Sequence, residues 1–71
     1  MTFEDMWKTI TSLPSSAIEL IPQELSEETK KQLASLGTKR CEEIVKDAIW
    51  EIEKGSVEKI ETLIQKNITL Q

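Results

Sequence analysis

The sequence predicts an all-α fold: a compact small helical bundle of three main helices plus one or two short helical turns. Three observations predict it. Apolar side chains recur at i, i+3 or i+4 and i+7 in separate stretches, the period of an amphipathic helix. The two glycines and two prolines fall between those stretches, where they act as breaks. Seventy-one residues with 31% charged and 38% hydrophobic content suit one folded domain over 1–71 better than a disordered chain.

Taken in order, Thr2 and Asp5 form a reduced capping box. Phe3, Met6, Trp7, Ile10 and Leu13 follow at helical spacing, so a first helix is expected from about residue 3 to 12, ending before Pro14. Its apolar face is read as core, with docking into a partner groove through Phe3, Trp7 and Ile10 as the rival use. Pro14-Ser15-Ser16 breaks the chain. Ala17 to Ile21 reads as either a single helical turn or an extended pass over the core, and Pro22 as the opening of a turn through Gln23-Glu24-Leu25.

Ser26-Glu27-Glu28 is a strong helix start, with a serine cap and two acids where the dipole favours them. This second helix covers 27–36, with Leu33 and Leu36 facing inward. Gly37 can take a positive φ and end it, and Thr38 is read as the cap of a third helix over 39–54. Cys41, Ile44, Val45, Ala48, Ile49 and Ile52 make its apolar stripe, opposite Glu43, Lys46, Asp47, Glu53 and Lys54. Gly55-Ser56 repeats the stop-and-cap punctuation. Val57, Ile60, Ile64 and Ile68 then predict a last helix at about 57–68. The expected core is Phe3, Trp7, Ile10, Leu13, Leu33, Leu36, Ile44, Val45, Ala48, Ile49, Ile60 and Ile64.

Residues 33–44, LASLGTKRCEEI, carry the pattern Leu, hairpin, aliphatic, Gly, Lys, small residue, Ile. This stretch resembles the helix-hairpin-helix motif, placed at 27–54. Ser35 stands where that family has its first hairpin glycine, and Thr38 where it usually has proline. The resemblance implies packing roles for Leu36 and Ile44 and a hairpin role for Gly37. It also implies phosphate contacts from backbone N–H groups at Gly37, Thr38 and Lys39, with Lys39 and Arg40. A helix N-terminus supports such contacts physically, because its N–H groups are unpaired and its dipole end is positive. Lys30, Lys31, Lys39 and Arg40 lie between Thr29 and Cys41 with no intervening acid, whereas the whole chain carries −4. The rival reading makes these four residues ordinary solvated charges flanking a turn.

Trp50 lies about half a turn from the centre of its helix's apolar stripe, on the side of Lys46 and Lys54. Either it meets a second layer of the protomer, with Trp7 as a contact, or it serves a protein partner, a second copy included. The candidate partner-binding residues are Trp50, Lys46 and Lys54.

At this length a single core is marginal without a disulfide, a metal or a partner. With no histidine and one cysteine, the chain can form neither an internal disulfide nor a Cys/His zinc site, and no metal or cofactor is expected. Cys41 reads as a small buried hydrophobe. Without histidine or tyrosine, general acids and bases reduce to carboxylates and lysines. Glu27/Glu28 and Glu42/Glu43 are adjacent and diverge by about 100° on a helix, so no catalytic role is expected. No stretch has the length of a membrane span, and the acidic start differs from a signal peptide, so a cytoplasmic location is expected. The functional expectation is a small non-enzymatic adaptor or regulatory module acting through a protein–protein interface, with a homodimer as one form. The alternative is sequence-independent nucleic-acid binding at the 35–40 hairpin.

Overall fold

The computed structural model describes residues 2–69 and places five α-helices in them, with no strand among the described residues. They are α1 (Phe3–Lys8), α2 (Ser15–Glu24), α3 (Glu27–Leu36), α4 (Thr38–Glu53) and α5 (Ile60–Thr69). The 1–71 domain expectation also covers Met1, Leu70 and Gln71, which lie outside that range. The Cα radius of gyration is 11.0 Å, matching the roughly 11 Å of a compact chain this long. The α4–α5 pairing is the most extensive, with α3 against α4, α1 against α3, and α2 against α5. The all-α bundle is therefore present, but with a fifth helix of full size.

Helix α1 starts as its sequence dictates: Thr2 Oγ1 accepts the Asp5 N–H at 3.2 Å. It ends at Lys8, short of residue 12, because the Thr9 N–H and hydroxyl both donate to the Met6 carbonyl and close the turn. Ile10 and Leu13 are still buried, now delivered by irregular backbone. Phe3 and Trp7 stack at 5.3 Å between ring centroids.

The segment around Pro22 departs most from expectation. Residues 15–24 are continuous helix with Pro22 inside it. An interior proline removes one N–H, and so orphans the carbonyl four residues earlier. Here that carbonyl belongs to Ile18, and the Trp7 indole donates to it at 2.9 Å. A side chain from α1 thus supplies the bond that Pro22 cannot, and the helix runs through the proline to Glu24.

Helix α3 begins at its serine cap, where Ser26 Oγ accepts the Thr29 N–H at 3.3 Å. In a capping box the third helical residue also accepts the cap residue's own N–H. Thr29 holds that place and cannot do so through a carboxylate. Glu61 of α5 takes the role instead, accepting the Ser26 N–H at 2.6 Å and the Thr29 hydroxyl at 3.1 Å. Gln65 completes the cluster, donating to Thr29 Oγ1 at 2.8 Å and to Gln32 Oε1 at 2.7 Å. Thr29 is the one buried polar side chain among the described residues, and it sits at the centre of this network.

Gly37 alone joins α3 to α4. Its φ of 96° and ψ of 163° lie in a region essentially reserved for glycine. The expectation that Thr38 caps α4 is corrected. Thr38 is already helical, Gly37 occupies the cap position, and the first helical bond runs from the Cys41 N–H to the Gly37 carbonyl. At the other end, Gly55 at φ 107° closes a Schellman motif. Its N–H reaches the Ile52 carbonyl and that of Ser56 reaches Glu51.

The last helix starts at Ile60, not Val57. Ser56 Oγ accepts the Glu58 N–H, two residues on, and so forms a local turn in place of a helix cap. Val57 consequently projects into solvent at 99% exposure, outside the stripe assigned to it. The core holds Phe3, Trp7, Ile10, Leu13, Leu33, Ile44, Val45, Ala48, Ile60 and Ile64 as expected, with Met6 and Cys41 buried on the faces assigned to them, and adds Ile21, Leu25 and Leu63. Leu36 is corrected to 39% exposed, and Ile49 is half-buried against the core.

Candidate functional site

Three surfaces compete, and the hairpin comes first. The side-chain-capped helices α1 and α3 each carry two acids in the first turn. The first turn of α4 has neither an acid nor a side-chain cap, so its leading N–H groups and positive dipole end stay uncompensated. Lys39 is exposed and has no ion pair among the described residues. Arg40 leans to Glu43, with Nη1 3.8 Å from the carboxylate.

Lys30 and Lys31 are set back along α3, about 9–10 Å from Gly37 at the helical rise. Lys30 is drawn to Glu27 at 3.5 Å, and its Nζ lies 6.0 Å over the Phe3 ring centroid. With Thr2, Glu4 and Ser35, Lys30 and Lys31 line a groove between α1 and α3. Lys39 and Arg40 do not line that groove. Lys31, like Lys39, has no ion pair among the described residues.

The second surface is the outer flank of α4. Trp50 is 58% exposed and does not meet Trp7, which is buried elsewhere. Lys54 lies across its indole, with Nζ 4.0 Å from the ring centroid. An exposed cation–π pair of this kind contributes about 0.5–1 kcal/mol. Lys46 is not part of the pair, because it turns to Glu42 at 3.8 Å. Beside Trp50 runs a shallow groove lined by Asp47, Glu51, Glu58, Leu63, Lys66 and Asn67, and a Lys66–Glu58 bond of 2.7 Å bridges it.

The third surface escaped the sequence reading. Ala17, Leu20, Ile21 and Glu24 of α2 face Ile49, Ile52 and Glu53 of α4 across an apolar groove, with Lys59 and Ile60 at its α5 side. Leu20 is 57% and Ile52 41% exposed. The α2 residues fall at i, i+3, i+4 and i+7, a helical stripe that was legible had Pro22 not been read as a break.

Cys41 faces inward, fully buried. Burial first, and the Glu42 charge second, push its thiol up to about 11, so it is protonated at neutral pH. A thiol in that state is a poor nucleophile. Among the described residues no group of three or more acidic, Cys or His side chains is placed to hold a metal ion. No helix in those residues is long and apolar enough to cross a membrane. No protein-family model, curated protein sequence or solved structure matches the chain.

Proposed function

We propose that this chain is a small non-enzymatic adaptor or regulatory module that works through a protein–protein interface, with its own second copy among the candidate partners. The observation that carries the reading is Trp50. A tryptophan left 58% exposed on the longest helix, with Lys54 across its ring, offers apolar area to a partner. Tryptophan is also the residue type most enriched among binding hot spots.

A benzophenone side chain placed at position 50 tests this reading. It is expected to cross-link a discrete protein, or a second copy, in the cells that make the chain. The same group at exposed Thr62 is expected to yield no such product. If the partner is a second copy, Trp50→Glu lowers the sedimenting mass from dimer to monomer. A monomer at every concentration, with equal cross-linking from positions 50 and 62, would overturn the proposal.

A second reading, sequence-independent nucleic-acid binding at residues 35–40, is favoured by one observation: the start of α4 has no side-chain cap and no acid, next to Lys39, which has no ion pair among the described residues. Binding of this kind should fall steeply with salt and ignore base sequence. Lys39→Glu with Arg40→Glu is expected to abolish binding to mixed-sequence DNA at low salt. Neither residue is buried, so the fold should survive the exchange. Undiminished binding by that double variant removes the hairpin from consideration.

A further inference from the structure

The groove between α2, α4 and α5 combines exposed aliphatic walls with charges that its own helices do not favour. Glu24 is the last residue of α2 and Glu53 the last of α4, and both line the groove. Neither helix has a basic residue in its final turn, and neither carboxylate has an ion pair among the described residues. A helix C-terminus carries about half a negative charge and is stabilised by cations, so an acid there works against its helix. Two such ends, each bearing a carboxylate, flank one apolar channel. Lys59 is the single basic residue lining it.

We propose that this groove binds an amphipathic helix of a partner protein, one with an aliphatic stripe flanked by lysine or arginine. The aliphatic residues would pack on Leu20, Ile21, Ile49, Ile52 and Ile60. The flanking cations would pair with Glu24 and Glu53, which have no ion pair among the described residues. The stripe from Ala17 to Glu24 spans about 10 Å, which suits roughly two turns of a docked helix. A second copy of this chain is the weaker occupant. A twofold contact through the groove would bring four carboxylates together, where like charges oppose association. On α4 the groove is centred about 100° around the helix from Trp50, which does not line it.

The test uses the full chain and two synthetic helices. One has leucine at i, i+3, i+4 and i+7 with lysine elsewhere, and the other has glutamate in place of lysine. The Leu/Lys helix is expected to saturate, with amide shift changes centred on Leu20, Glu24, Ile52 and Lys59. Glu24→Lys with Glu53→Lys should weaken that binding by about tenfold or more and create binding of the Leu/Glu helix. Glu24→Gln with Glu53→Gln, a milder pair, should weaken it in the same direction without the new specificity. Trp50→Ala should leave the affinity unchanged, so this groove and the Trp50 interface succeed or fail separately.

Shift changes centred on the hairpin or the Trp50 flank would overturn the proposal. So would unaltered affinity in both double variants, or the absence of saturable binding. A fall in the wild-type sedimenting mass on Leu20→Glu with Ile52→Glu would overturn it too, because the groove would then be covered by a second copy.

Discussion

Replacing Trp7 with alanine is expected to cost about 3–5 kcal/mol, the largest loss of any single change considered. A chain this long has a total stability of about 4–10 kcal/mol, so the change should remove about a third of it or more. Trp7 does two separable things. Its ring fills space beside Phe3, and its N–H satisfies the Ile18 carbonyl that Pro22 leaves without a donor. Trp7→Phe keeps most of the first and removes the second, and leaving that carbonyl unsatisfied adds about 1–3 kcal/mol to the cost of the lost volume.

A double-mutant cycle isolates the bond from the volume. Pro22→Ala restores a backbone N–H to Ile18, so Trp7→Phe should cost less in that background, by about 1 kcal/mol or more. Urea denaturation of the four proteins measures it. Equal costs in the two backgrounds would mean that the indole N–H does not compensate for the proline.

Thr29→Val is expected to cost about 1–3 kcal/mol despite the near-identical shape. The hydroxyl donates to Glu61 and accepts from Gln65, so its loss leaves two half-buried polar groups each short of a partner. The same network sets a pH dependence. The Ser26 N–H above all, then the Ser26 and Thr29 hydroxyls and the Lys59 charge, hold the Glu61 carboxyl below its usual range, and desolvation opposes them only in part.

With the folded-state value depressed, the unfolded chain takes up its proton first as pH falls. The Glu61 contribution is therefore complete above the ordinary carboxylate range and is lost as pH drops through the folded-state value. Glu61→Gln should be less stable than wild type near neutrality, and the two urea midpoints should converge in acid. Parallel curves would show that the carboxylate is not the source.

The parts of the fold legible in the sequence were those that neighbouring residues decide. Ser26 with Glu27 and Glu28 starts α3, and Gly37 ends it, because cap chemistry acts within a turn. The stripe through Ile44, Val45 and Ala48 is likewise local, and it is buried as expected. Residue type misled at Ser56, whose hydroxyl serves the Glu58 N–H and leaves α5 to begin at Ile60.

Pro22 was illegible for a deeper reason. Whether a proline breaks a helix depends on what reaches the orphaned carbonyl, and here that group comes from eleven residues earlier. The third surface was lost with it, because a groove between α2 and α4 needs α2 to exist. The angular offset of Trp50 was legible from the helical repeat. Its exposure was not, since that depends on where the other helices pack.

The shared cap at Ser26 also bears on the order in which the chain acquires structure. The first turn of α3 has local bonds of its own, from the Thr29 N–H to Ser26 Oγ and from the Lys30 N–H to the Ser26 carbonyl. Its remaining support comes from side chains 32 to 36 residues further on. During synthesis the Ser26 N–H and the Thr29 hydroxyl must wait for Glu61 and Gln65 to be added and docked. Contacts at such separation incur the loop-closure entropy of the intervening chain before they contribute any stability. The amide of Ser26, bonded to Glu61, should therefore exchange with solvent at the rate at which α5 undocks, making the start of one helix a clock for the release of another.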